Sequence, residues 1–77
     1  MKKVSLVQMK VHQKGTIAEV QGGKRFENRC ISMGIYPGKE LTKLSQFILR
    51  GPVAIRVGRS VLALGYGMAH RIIVETV

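Results

Sequence analysis

Seventy-seven residues make one small domain, 45% of it apolar, with no room for a second lobe or for a deep cleft between lobes. Thirteen Lys and Arg stand against four Glu and no Asp, giving a formal charge of +9; spread along the chain, it reads first as a solubilising coat and second as attraction toward an anionic partner, whether a protein surface, nucleic acid or lipid. A lone Cys30 excludes an internal disulfide and suits a reducing, cytosolic setting, and no apolar stretch approaches the 18 or so residues of a helical membrane span.

Val4 to Met9 alternates imperfectly and reads as a lead-in or edge strand. The basic start, Met1-Lys2-Lys3, resembles a signal n-region, but Gln8, Lys10, His12, Gln13 and Lys14 break any apolar segment after it. Gly15 to Val20, with Ile17, Ala18 and Val20, reads as a strand running into a turn at Gly22-Gly23. From Lys24 the period changes. Phe26, Cys30 and Met33 fall at helical spacing, Ile31 lies beside them, and Lys24, Arg25, Asn28 and Arg29 fill the polar face. Gly34 sits where a left-handed residue ends a helix, and Pro37 follows as a stop. The N-terminal side has no side-chain cap.

Pro37-Gly38 has the composition of a type II turn. Lys39 to Gln46 is read as a strand, with Leu41 and Leu44 apolar. Phe47-Ile48-Leu49 follows, ended by Arg50-Gly51-Pro52. Val53 to Val57 alternates cleanly, Gly58-Arg59 reads as a hairpin turn, and Ser60 to Leu64 returns. Gly65-Tyr66-Gly67 opens a turn, with Met68, Ala69 and His70 forming one helical turn at most. Ile72 to Thr76 closes the chain as a β-branched strand. Five short strands around one helix give a mainly β domain. A small partly open barrel of SH3-like or OB-like topology fits this order.

Chemistry-bearing patterns are scarce. His12, His70, Cys30 and the methionines show no metal-ligand spacing, so no metal residue and no cofactor is assigned. Cys30 falls on the apolar stripe as a small hydrophobe, and the four Glu lie in different elements, without an acid/base pair. No catalytic residue is assigned, and the chain reads as a binding module. Nucleic acid is the alternative partner class, but Phe26, Tyr36, Phe47 and Tyr66 do not interleave with Lys and Arg as a stacking platform would. Phe47-Ile48-Leu49 has two readings. A bend or bulge buries all three, or they form an exposed apolar knob flanked by Arg50.

The order of these residues resembles the FeoA family, ferrous iron transport protein A. The resemblance runs from Leu6 to Val74 and is strongest over Arg29-Cys30-Ile31-Ser32-Met33-Gly34-Ile35-Tyr36-Pro37-Gly38. Gly15-Thr16-Ile17 and Gly22-Gly23 match upstream. Gly51-Pro52-Val53, Ile55, Val57, Leu62-Ala63-Leu64, Ala69, Ile72 and Val74 match downstream. It implies a single SH3-like β-barrel with one short inserted helix over residues 1–77, no catalysis, and a cytoplasmic partner role toward the ferrous iron transporter FeoB. A regulatory, metal-responsive reading follows from the fold's similarity to a domain of iron-dependent repressors. Three positions depart from the family: His12 where glycine is frequent, Lys43 where an aliphatic residue is common, and Arg50 where aspartate often precedes the Gly-Pro turn. On this reading Lys24, Arg25 and Arg29, together with Phe47, Ile48 and Leu49, form the expected partner surface. Whether the chain forms a homo-oligomer is left open.

Overall fold

The computed structural model describes residues 1–77 as six strands and two helices: β1 (Lys2–Ser5), β2 (Lys14–Val20), α1 (Gly23–Ser32), β3 (Glu40–Gln46), β4 (Val53–Val57), β5 (Ser60–Leu64), α2 (Tyr66–His70) and β6 (Ile72–Thr76). All strands belong to one antiparallel sheet in the order β1-β6-β2-β3-β4-β5. Two expectations need correcting. The strand count is six, because Lys2–Ser5 pairs with β6, where Lys2 stands opposite Thr76 and Ser5 opposite Ile73. That strand stops at Ser5, where a turn begins. There the Gln8 side chain accepts from the Ser5 amide and the Ser5 carbonyl accepts from the Met9 amide, which turns the chain out of the ladder. The helix count is two, because the turn at Tyr66 closes as a full short helix.

Period-two alternation sets the inside of the rolled sheet. Val53, Ile55 and Val57 of β4 are buried, with Ile72 and Val74 of β6, Ile17 of β2 and Leu41 of β3. Two bulges bend the sheet: one in the β2–β6 ladder between Ile17 and Glu19, the other in the β3–β4 ladder between Lys43 and Ser45. A bulge adds local twist to a strand and helps a narrow sheet curl. Gly15 lets β2 close against β6, since a Cβ there would lie 2.3 Å from Val74 Cγ1 and 2.9 Å from the Glu75 carbonyl oxygen.

The helix ends as its sequence predicts. With Met33 as the cap, Gly34 takes φ +85. The Gly34 amide donates to the Ile31 carbonyl (2.9 Å), and the Ile35 amide to the Cys30 carbonyl (2.8 Å). This is the Schellman arrangement, completed by burial of both Cys30 and Ile35. Burial pushes the Cys30 thiol above its ordinary range, partly countered by the Arg29 charge. The Tyr36-Pro37-Gly38-Lys39 turn forms with Gly38 at φ +94 and the Lys39 amide donating to the Tyr36 carbonyl at 3.1 Å. Ile31 does not join the buried stripe; it is 55% exposed.

Candidate partner surface

The β3–β4 hairpin builds the first half of the expected surface. Its last strand pair is Gln46 opposite Val53, which leaves a six-residue connection. The Phe47 amide donates to the Pro52 carbonyl at 3.2 Å and narrows the neck. At the tip the Gly51 amide donates to the Ile48 carbonyl at 3.3 Å, around Leu49 at φ +58 and Arg50 at φ +60. Two consecutive positive φ angles inside such a bond make a type I′ turn, which sequences ordinarily supply with Asn-Gly. A leucine held there costs about 1 kcal/mol or more, because its Cβ crowds the following carbonyl. Gly51 also has no room for a side chain, since a Cβ would meet Phe47 Cβ at 2.6 Å.

This strained turn presents the three apolar residues to solvent. Phe47 is 64% exposed, Ile48 85% and Leu49 93%. Of the two readings left open by the sequence, the exposed knob is the observed one. Arg50 folds back with its guanidinium 5.7 Å from the centre of the Tyr66 ring, and Tyr66 stacks on His70 at 6.2 Å with ring planes 8° apart. The knob is thereby braced against α2.

The second half lies on α1. Lys24, Arg25 and Arg29 are all exposed. Arg29 is in the last turn, where a positive charge complements the helix dipole. Phe26, one turn before Arg29 on the helix, is half-buried beneath the Arg71 guanidinium, 5.5 Å from the ring centre. Arg71 is the C-terminal cap of α2. The two halves are therefore linked through α2, one at its first residue and the other at its cap.

Sequence reasoning missed a third feature. Lys43 points inward beside Leu41 and is only 1% exposed. Its Nζ donates to the Val7 carbonyl (3.1 Å), the Met9 carbonyl (2.7 Å) and Gln46 Oε1. Three acceptors match the three N–H groups of an ammonium. Burial lowers its pKa from the ordinary lysine value. Lys43 ties the β1–β2 connection to the base of the β3–β4 hairpin and so supports the knob from beneath. The only signal for it was the departure from an aliphatic residue. Tyr66 and His70 were also missed, because a ring braced by an arginine sixteen positions away leaves no periodic trace. No three of the His, Cys and Glu side chains gather where a metal ion could be held.

Residues 4–76 match the FeoA domain family. An iron uptake regulatory protein (FeoA) of known crystal structure superposes with a TM-score of 0.89 at 31% identity, each chain covered in full. A zinc complex of FeoA from Stenotrophomonas maltophilia, described as a prokaryotic SH3 domain protein and a candidate ferrous iron transport activating factor, gives 0.79 at 21% identity over 94% of this chain and 89% of that one. A manganese-dependent transcriptional repressor gives 0.87 at 20% identity, with 97% of this chain lying on 42% of the repressor. No curated protein sequence matches the chain. The fold is therefore the SH3-like β-barrel expected from the resemblance. The chain belongs to the FeoA family, a family implicated in ferrous iron transport.

Proposed function

We propose that this protein is a non-enzymatic, cytoplasmic accessory factor of ferrous iron uptake that binds the cytosolic part of the FeoB transporter and modulates it. One observation carries the reading: the hairpin tip holds three exposed apolar side chains on a turn that its own residues disfavour. Strain of this kind persists where the surrounding structure enforces it, and it concentrates at sites of recognition. A solvated loop would relax at no loss by carrying Asn-Gly. Family membership supplies the transport context, and the +9 charge supplies attraction toward an acidic partner face.

Phe47, Ile48 and Leu49 act as the apolar anchor in this reading, while Lys24, Arg25 and Arg29 add charge complementarity from the exposed face of α1. The aromatics favour it over a nucleic-acid role. Phe26 lies under Arg71, Tyr66 is stacked on His70, and Phe47 sits at a hairpin tip, so no row of rings lines a basic groove. The test is capture of the transporter's cytosolic part by the wild-type chain, by Ile48→Ser and by Arg25→Glu/Arg29→Glu. Both variants should lose capture while keeping the wild-type fold. Unchanged capture by the helix variant removes α1 from the surface, and unchanged capture by both removes the proposal.

A further inference from the structure

The two outer strands of the sheet are finished differently. β1 carries Lys2 and Lys3, the kind of charged side chain that deters further pairing at an edge. β5 reads Ser60-Val61-Leu62-Ala63-Leu64, with neither a charge nor a proline. Its two-residue turn makes Val57 and Ser60 the first hydrogen-bonded pair, so the ladder bonds of Ser60, Leu62 and Leu64 go to β4. The amides and carbonyls of Val61 and Ala63 therefore face outward, and no other backbone group pairs with them.

The side chains at this edge are informative too. Ser60, Leu62 and Leu64 share the inner face with Val57, Ile55 and Val53, whereas Val61 lies on the outer face opposite Arg56. Val61 is 60% exposed. At the turn end, Lys14, Lys39 and Arg56 line an open groove of about 370 Å³ in which Glu40 is the one carboxylate, and Arg59 stands exposed on the turn itself.

We infer that β5 is a docking edge for an extended acidic segment of a partner chain, with acidic and apolar residues in alternation, which adds to the sheet as a seventh strand. Val61 and Ala63 supply the backbone hydrogen bonds, and Arg56, Arg59 and Lys39 receive the carboxylates. Strand addition of this kind takes affinity from the main chain and selectivity from alternate side chains. Charge selects the occupant. A second copy would bring a further +9 and the same Arg56 and Arg59 to the seam, and an acidic segment reverses that repulsion. The edge is distinct from the hairpin tip and from α1, so its failure leaves the reading of those surfaces standing.

The probe is an acetylated, amidated heptapeptide of alternating Glu and Val, titrated into the ¹⁵N-labelled chain. The Val61 and Ala63 amide signals should shift and their hydrogen exchange should slow. Ala63→Pro removes an outward amide that β4 does not use, and it should weaken binding about tenfold. The same peptide, N-methylated on the amides that face the edge, should show the same loss against the unaltered protein, which keeps the test decisive should Ala63→Pro fail to fold. Absence of binding at millimolar peptide overturns the inference. So does binding that survives N-methylation, which would be charge attraction alone. A concentration-dependent dimer abolished by Ala63→Pro would assign the edge to a second copy and overturn it equally.

Discussion

Lys43 is a charged group inside an apolar core, and the arrangement around it explains how the core tolerates the charge. The Val7 and Met9 carbonyls receive no backbone donor, so the ammonium and these two oxygens satisfy one another. Replacing Lys43 with Met keeps the bulk and orphans both carbonyls, so Lys43→Met should cost about 1–3 kcal/mol in denaturant unfolding. The pH dependence adds a second signature. Burial places the folded-state pKa below the ordinary 10.5. Below that lowered value both states are protonated, and the desolvation cost is present in full. Between it and 10.5 the unfolded chain binds more protons, so this group makes stability rise with pH. The stability gap between wild type and Lys43→Met should therefore widen as the pH rises toward 10.5, and a constant gap would show that the burial does not perturb the ammonium. At this scale the sequence was readable only by exception. His12 and Arg50, where the family favours glycine and aspartate, both take positive φ, at +72 and +60, and Lys43, where an aliphatic residue is common, is the buried ammonium. Periodicity cannot find such residues, because a charged side chain that points inward breaks the alternation on which the method depends.

The elements themselves were largely legible where a local rule decides them. Phe26, Cys30 and Met33 gave the helix its buried side, Gly34 its end, and Pro37-Gly38 the turn after it, because each rests on bonds within a few residues. The hairpin tip was legible only as an alternative. Phe47-Ile48-Leu49 is equally good sequence for a buried bulge, and nothing in Leu49-Arg50 announces a type I′ turn, since that turn is ordinarily made by residues that accept positive φ. This mismatch makes the tip testable apart from the fold. Leu49→Asn/Arg50→Gly supplies the residues the turn prefers and removes one exposed apolar group. Stability should rise by roughly 1–2 kcal/mol in thermal or denaturant unfolding, while capture of the transporter's cytosolic part falls. Higher stability with undiminished capture would show that Leu49 contributes strain without recognition.

Across the whole molecule, the strand order was beyond the reach of the sequence. β6 lies between β1 and β2, pairing the last strand with the first, and such long-range choices depend on how the curled sheet closes over Ile17, Ile72 and Val74. The net charge was fully legible, yet its role depends on where the positives lie in space, and the proposed partner surface separates two contributions to binding. The tip exposes Phe47, Ile48 and Leu49 with the single charge of Arg50 beside them, whereas Lys24, Arg25 and Arg29 are all exposed on α1. Charge acts on the approach of two proteins, and desolvated apolar contact acts on their separation. Rapid-mixing or surface-binding kinetics with the proposed transporter partner should therefore divide cleanly. Raising salt from about 0.15 M to about 1 M shortens the screening length from ~8 Å to ~3 Å and should slow association about tenfold or more, with little change in dissociation. Arg25→Glu/Arg29→Glu should slow association and flatten that salt dependence. Ile48→Ser should leave association nearly unchanged and speed dissociation. An association rate indifferent to salt would mean that the +9 charge keeps this small barrel soluble and takes no part in finding its partner.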